Sequence, residues 1–332
     1  MRSGPKLVYE NHAMPVFYRN VMYKPGEESE DAACLKLYDG HDWKWFRAGL
    51  LHTDMEYLRR HWSGKKSSAP VLEKRHQKYF LRFSYTEEVT LSKTPVKDQL
   101  ICSVDLGINT DAVCSIMRSD GTVLDRKFIN FPSEKDRLSH VLGRIRRFQK
   151  EHGSKQIGSR WAYAKRLNTE LARKTACSIA EYAHENHADV IVFEYLEMKG
   201  KISGKKRQKL HLWKKREVQT MCEHKAHRYG IRVSRVCAWN TSRLAYDGSG
   251  PVSRDPKNHS LCVFQSGKQY NCDLSASYNI GARYWIREII KTLPETERSS
   301  LEAKVPAVKR RTSCVYADLL ILQNEYGCSK AA

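Results

Sequence analysis

The chain has 332 residues, with 58 Lys and Arg against 37 Asp and Glu, a formal net charge of +21. Its 41% apolar and 10% aromatic residues suffice to bury a core in roughly one to three domains, which excludes wholesale disorder, while the charge favours a polyanionic partner. No apolar run approaches the roughly 18 residues of a membrane helix and the N-terminus MRSGPKLVYENHAMP lacks a secretory stretch, so the protein is expected inside the cell with no membrane partner.

In chain order, residues 1–95 read as a β-rich domain. Short strands are expected at 16–18, 34–38 and 43–47, one helix near 53–61, and an alternating strand over 78–85, with turns at Pro25-Gly26 and Asp39-Gly40. Residues 92–98, with Pro95, read as a junction. Strands at 101–108, 112–117 and 123–129 open a second domain over 96–291, antiparallel to one another across short turns. Helices near 134–151 and 159–186 follow, the second with Leu171, Thr175, Ile179 and Ala183 on one face. An apolar strand at 190–196, a basic stretch with a helix to about residue 228, a strand at 231–236 and a helix over 274–290 complete it. Residues 292–332 read as a basic tail with one small helix near 316–323. The ten cysteines lie in strand-like or helical runs such as ICSVDLG and TACSIAEYA and read mostly as reduced core thiols; no C-x-x-C pair occurs, so a structural zinc is not expected.

Three acids interrupt apolar or structured surroundings: Asp105 in CSVDLG, Glu194 in VFEY, and Asp273 at the head of DLSASYNI. An ionised carboxylate in a buried strand costs several kcal/mol unless paired or metal-bound. Each alone is as readily a strand-end acid facing water or paired with Arg. Together, an acid on the first strand, one on a later strand and one opening the closing helix can meet at one sheet edge. Converging carboxylates suit two Mg²⁺ ions, which in such a site activate water and stabilise the leaving oxygen of a phosphodiester. Gly107 either lets backbone approach a metal-bound phosphate or serves an ordinary strand-end turn.

Asp105-Leu106-Gly107-Ile108, the IVFEYL run around Glu194, and DLSASYNI from Asp273 resemble, in order and spacing, the three split RuvC motifs of the TnpB family. That family comprises OrfB-type, transposon-encoded, RNA-guided nucleases of insertion sequences, related to compact type V CRISPR effectors. The resemblance covers roughly residues 70–290. Residues 209–236, with Lys225-Ala226 and Gly230 ahead of Thr241-Ser242, extend it. It implies an α/β, RNase H-like (RuvC) nuclease domain, a shortened wedge or barrel-like nucleic-acid-binding domain at 1–95, and a ribbon-like insert at 239–272. It further implies Asp105, Glu194 and Asp273 as ligands of two Mg²⁺ ions, with Asp105 bridging. The implied partners are a DNA target and a guide RNA, at the nucleoid in a prokaryotic cytoplasm. Ala245, Gly248, Val263 and Ser266 stand where the family's zinc-ribbon cysteines would fall, so the insert is expected to be a metal-free hairpin packed by Leu261, Phe264 and Tyr270. Only 104 residues precede Asp105, with one visible helix, so the chain reads as a compact or N-terminally truncated member.

Basic residues flank Glu194 on both sequence sides. Arg144, Arg147, Lys165 and Arg166 precede it; Lys205, Lys206, Arg207, Lys214 and Lys215 follow. All are expected to hold a nucleic-acid backbone, the alternative being a solvated helix face and loop. Trp161, Trp213 and Trp239 are either core residues or base-stacking rings. Two other readings stay open: a nuclease-silent RNA- or DNA-binding regulator, and an RNase H-like strand-transferring transposase.

Overall fold

A computed structural model describes residues 11–13, 20–26, 30–75, 77–153, 157–195, 214–255, 258, 260–309 and 312–331. The expected strand at 16–18 and the basic residues Lys205, Lys206 and Arg207 lie outside them. The chain divides into two units, Met1–Glu88 and Val89–Ala332.

The first unit contains β1 (Asn11–Ala13), β2 (Tyr23–Pro25), β3 (Ala32–Tyr38), β4 (Trp43–Gly49), α1 (His52–Trp62), β5 (Lys66–Ser67), β6 (Val71–Arg75), β7 (Lys78–Arg82) and β8 (Tyr85–Thr86). These form three separate antiparallel sheets, β1-β6-β7, β2-β3-β4 and β5-β8. The barrel-like arrangement expected from the resemblance is not seen: among the described residues the strands are two to seven residues long and pair in threes and twos. The β3-β4 hairpin is closed by Asp39, whose Oδ1 accepts the backbone amides of His41 and Asp42 at 2.8 Å each. Its small core joins Tyr23, Ala33 and Leu35 to Leu72, Leu81 and Phe83. Helix α1 buries no residue, so its apolar content contributes little to that core.

The second unit is built on a five-stranded mixed sheet of order β11-β10-β9-β12-β13. Its strands are β9 (Leu100–Asp105), β10 (Ala112–Arg118), β11 (Val123–Ile129), β12 (Val190–Tyr195) and β13 (Arg232–Cys237). β9, β10 and β11 are antiparallel neighbours joined by short turns. β12 runs parallel to both β9 and β13, which requires crossovers. These are supplied by α2 (Pro132–His152) with α3 (Gly158–Glu185), and by α4 (Lys215–Arg228). Pro132 opens α2 at a position where its missing amide costs no helical hydrogen bond.

Both faces of the central strands are covered, so their sequences are nearly unbroken apolar runs. Alternation sends Cys102, Val104, Ile191 and Phe193 towards α3 and α4, whose Ala172, Ala176, Ala180 and Ala226 allow close approach. Ile101, Val113, Met117, Val190, Val192 and Val236 face the other way, onto α5 (Cys272–Thr292). Asn271 caps α5 by accepting the Leu274 amide at 2.9 Å. The helix then runs antiparallel to β9. Ser277 meets Ser115 hydroxyl to hydroxyl at 2.6 Å, and the Tyr284 hydroxyl donates to Gln99 at 2.9 Å near the start of β9. The N-terminus of α5 therefore lies at the carboxyl end of β9.

Residues 92–98, read as a junction, are tied into this unit. The Ser92 amide donates to the Gly230 carbonyl at 2.7 Å, and the hydroxyls of Ser92 and Thr94 donate to Asp189 at 2.5 Å. The insert holds a three-stranded antiparallel sheet of β14 (Ser253–Arg254), β15 (Leu261–Val263) and β16 (Gln269–Asn271). Its core gathers Ala245, Cys262, Phe264 and Cys272, with Tyr246, Val252 and Tyr270 packed alongside. Burial and contact with Cys272 push the Cys262 thiol up to about 12. Residues 292–332, expected as a tail with one small helix near 316–323, contain three helices, α6 (Glu295–Lys304), α7 (Pro306–Lys309) and α8 (Tyr316–Ala331), the last spanning the expected one. Leu301, Val305, Val308, Leu319 and Leu322 join the α5 core, and Tyr316 donates to the Gly121 carbonyl at 2.7 Å. Apolar side chains spaced for helices, not the charge, decide that outcome. No helix among the described residues is long and apolar enough to cross a membrane.

Candidate active site at the carboxyl ends of the central strands

β9 ends at Asp105, three residues before the end of the apolar strand expected at 101–108. Gly107 then begins a tight turn whose amide reaches the Asp111 carbonyl at 3.4 Å. A Cβ on Gly107 would stand 2.5 Å from the Thr110 carbonyl oxygen, so this glycine is demanded by the turn itself. Register carries the second acid to the first. β12 pairs with β9 from Val190 opposite Ile101 to Phe193 opposite Val104. The next step along both strands sets Glu194 beside Asp105, on the same face of the sheet. Both are 7% exposed. Asp273, the second residue of α5, is brought to this end by the helix direction and is half-buried.

The three acids sense one another. Burial, then the like charges of Glu194 and Asp273, push the Asp105 carboxyl well above the ordinary carboxylate range, against the opposing pull of Lys215 and Arg254. Burial also raises Asp273, opposed by Arg254, a hydrogen bond with Thr110, and Lys215. Lys215, at the start of α4, is lowered by burial and held up by the same three carboxylates. Glu194 is oriented by the Thr241 hydroxyl, which donates to its Oε1, while Gln219 donates to its backbone carbonyl at 2.9 Å.

A buried group of mutually repelling oxygen donors is chemically suited to hard divalent cations, which would remove the repulsion. The donor set therefore fits magnesium. Its present spacing is open: among the described residues no three His, Cys, Asp or Glu side chains stand together as a ready-made metal-binding group.

The basic residues separate. Lys215 joins the carboxylates, and its neighbour Lys214 bonds Thr169 of α3 at 2.6 Å and pairs with Glu217. Arg144 and Arg147 on α2, and Lys165 and Arg166 on α3, are exposed on the helical crossover. A cavity of about 480 Å³ lies between these helices and the turn after Asp105, with Leu106, Gly107, Leu142, Asn168, Lys214 and Lys215 among its walls. Trp161 packs beside the α2-α3 core, whereas Trp239 is exposed between β13 and Thr241; Trp213 lies outside the described residues. Sequence reasoning did not single out Arg254, Thr110 or Gln219. Thr110 lies in the turn after β9 and Arg254 in the insert, whose paths no local pattern reveals, while Gln219 reaches the Glu194 carbonyl from α4. Thr241 carried a signal, its place shortly after β13, but not its role.

Comparison with known proteins points the same way. Residues 216–280 match the family model for the Cas12f1-like TNB domain. A CRISPR-associated endodeoxyribonuclease Cas12f1 from an uncultured archaeon is 27% identical over 157 residues, covering 45% of this chain and 30% of that protein. The TnpB-like protein ORF457 of Acidianus two-tailed virus is 28% identical over 204 residues, covering 55% and 42%. The chain thus spans less than half the length of these curated relatives in its matched stretches. Among solved structures, a Cas12f1–sgRNA–target DNA complex superposes with a TM-score of 0.43 at 18% identity, covering 83% of this chain and 71% of the other. The mini-RNA-guided endonuclease CRISPR-Cas_phi3 gives 0.45 at 14% identity, covering 75% and 57%. The chain is similar to TnpB-like proteins and compact type V effectors, as its three motifs imply.

Proposed function

We propose that this protein is a transposon-associated, metal-dependent, RNA-guided DNA endonuclease with an RNase H-like (RuvC) nuclease domain, acting on DNA in a prokaryotic cytoplasm. The observation that supports the reading is that Asp105 and Glu194, nearly buried at the ends of β9 and β12, and Asp273 at the start of α5 lie near enough for the charges of Glu194 and Asp273 to raise the Asp105 carboxyl. Sequence similarity to an endodeoxyribonuclease and to a TnpB-like protein supports it.

Asp105, Glu194 and Asp273 would hold two Mg²⁺ ions, which supply activation of a water and stabilisation of the leaving oxygen. The chain's own contribution is preorganisation. Thr241 fixes the rotation of Glu194, the α5 cap fixes Asp273, and the Gly107 turn ends β9 so that Asp105 stands at its edge. Lys215 and Arg254 offset carboxylate charge. Arg144, Arg147, Lys165 and Arg166, with Lys205, Lys206, Arg207 and Lys214, would hold the phosphate backbone, and the cavity lined by Gly107, Lys214 and Lys215 begins at the turn that follows Asp105. Recognition of a guide–target heteroduplex would rest on backbone contacts, with base pairing reading the sequence.

The second reading is a nuclease-silent RNA- or DNA-binding regulator of the same family. The two are separated by cleavage of target DNA by the protein purified with its copurifying RNA. Mg²⁺-dependent cleavage that needs the RNA and vanishes in Asp105→Ala establishes the nuclease. RNA-dependent binding without cleavage establishes the regulator, and RNA-independent joining of transposon ends would make the protein a strand-transferring transposase.

A further inference from the structure

Side chains along β2, β3 and β4 alternate between two faces of their sheet. One face places Tyr23, Ala33 and Leu35 in the core of the N-terminal unit. The opposite face carries Lys24, Lys36, Tyr38, Trp43, Trp45 and Arg47. Register sets Tyr38 against Trp43, Lys36 against Trp45, and Cys34 against both Lys24 and Arg47, so three rings and three cations interleave. The rings are open to solvent: Tyr38 is 57%, Trp43 48% and Trp45 42% exposed. Tyr38 and Trp43 meet at 5.8 Å with planes tilted by 53°, and the Lys24 ammonium lies 5.0 Å over Trp45. None of the three strands contains an Asp or Glu.

Phe46, 42% exposed, stands alone on the core-side face, whereas Tyr38, Trp43 and Trp45 are neighbours on this one, and a contiguous group of large rings in water marks a contact surface. The interleaved cations narrow the partner. An apolar protein surface would strip water from Lys24, Lys36 and Arg47 without returning counter-charge. A nucleic-acid duplex offers phosphates, but its base faces are already stacked. Unpaired nucleotides offer both a free π-face for each ring and a phosphate for each cation. We propose that this face of the β2-β3-β4 sheet is a stacking platform for unpaired nucleotides of a single-stranded RNA or DNA segment. The platform is a site apart from the carboxylate group, and its test does not depend on cleavage.

The full-length protein is titrated, in the presence of a metal chelator, with oligo-U and oligo-dT of about 12 nucleotides, an abasic oligomer of the same length, and a blunt duplex. The base-bearing single strands should quench tryptophan fluorescence, and the tighter of the two identifies which strand the face prefers. Trp43→Ala and Trp45→Ala should each weaken that binding about tenfold, with Trp45→Tyr retaining most of it. The abasic oligomer and the duplex should bind wild type as weakly as the double alanine variant binds oligo-U. Because both rings face solvent, the variants should keep the wild-type circular dichroism and melting temperature. Equal binding of abasic and base-bearing strands, or unchanged affinity in both alanine variants, would overturn the platform. So would variants that keep nucleotide affinity but lose self-association in gel filtration, which would assign the face to a second copy of the chain.

Discussion

The hydroxyl of Thr241 donates to Oε1 of Glu194, fixing one of the three carboxylates from outside its own strand. The Thr241 carbonyl in turn accepts from Asn279 Nδ2 at 3.0 Å. The same asparagine donates to the Leu244 carbonyl at 2.9 Å and accepts the Tyr316 amide at 3.0 Å. One buried side chain on α5 thereby links the helix bearing Asp273 to the segment that orients Glu194 and to the start of α8.

Replacing Thr241 by Val preserves shape and removes the donor. A hydrogen bond to a charged group contributes roughly 1.5–3 kcal/mol, so the variant should melt lower, and a carboxylate free to rotate should slow cleavage about tenfold or more. Thr241→Ser should restore most of both. Single-turnover cleavage rates at saturating Mg²⁺ measure the effect. A lowered melting temperature with an unchanged rate would leave Thr241 a purely structural role.

Divalent cations should stabilise the fold by relieving repulsion among Asp105, Glu194 and Asp273. At a hundredfold excess over the dissociation constant, binding to the native state alone contributes about 2.7 kcal/mol. Thermal melting of wild type should therefore rise on Mg²⁺ addition, while Asp105→Ala stays flat. Without metal, Asp105→Asn should melt higher than wild type at neutral pH, because it removes a carboxyl whose ionised form burial and the neighbouring carboxylates disfavour in the folded state. A wild-type melting temperature indifferent to Mg²⁺ would count against the metal reading.

Much of this arrangement is legible in the residues themselves. Unbroken apolar runs such as VIVFEY mark strands covered on both faces, and an acid within such a run has few inexpensive explanations. Helix spacing in α3 shows which stripe packs on the sheet, whereas α5 is buried nearly all round between the sheet and the C-terminal helices. Local patterns miss what depends on chain paths through the insert and turns, as with Arg254 and Thr110, and on how a helix is set against a strand end, as with Gln219 on α4. The exposed face bearing Trp43 and Trp45 has the same limit, since alternation predicts two faces but not which one the unit leaves in water. The basic tail expected at the C-terminus is the clearest miss: residues 292–332 carry six Lys and Arg against five Asp and Glu, and Leu301, Val308, Leu319 and Leu322 build a packed cap.

The β3-β4 hairpin that displays the aromatic face should loosen in acid. Hydrogen bonding with Lys44, then with the amides of Asp42 and His41, lowers the Asp39 carboxyl from 3.8 to about 2. Folding therefore favours the ionised form, and the contribution of Asp39 is present above 3.8 and lost as pH falls towards 2. Side-chain titration by NMR should give a midpoint near 2, and Asp39→Asn should abolish the acid-dependent part of hairpin opening. A midpoint near 4 would show that the turn is not organised around this carboxylate.

Gly281 tests whether the closeness of α5 to the sheet sets the position of Asp273. A Cβ there would stand 2.4 Å from the Met117 sulfur and 3.3 Å from the Cβ of Ser103. In an open helix Gly→Ala would stabilise by about 1 kcal/mol, but overpacking a filled core costs roughly 1–3 kcal/mol, so the net change should be neutral to destabilising by about 2 kcal/mol. The larger consequence should be functional. Ser277, one helical turn before Gly281, bonds Ser115, and Asp273 lies one turn before that. Pushing α5 off β9 and β10 should strain the Ser115–Ser277 contact and displace Asp273 from the other acids, lowering the cleavage rate beyond what the stability loss explains. Adding Met117→Ala opens space for the new methyl, so the double variant should regain rate despite its own cavity. If instead the two substitutions prove additive in rate, the α5–sheet distance does not control the site and Asp273 is positioned by its Asn271 cap and the insert alone.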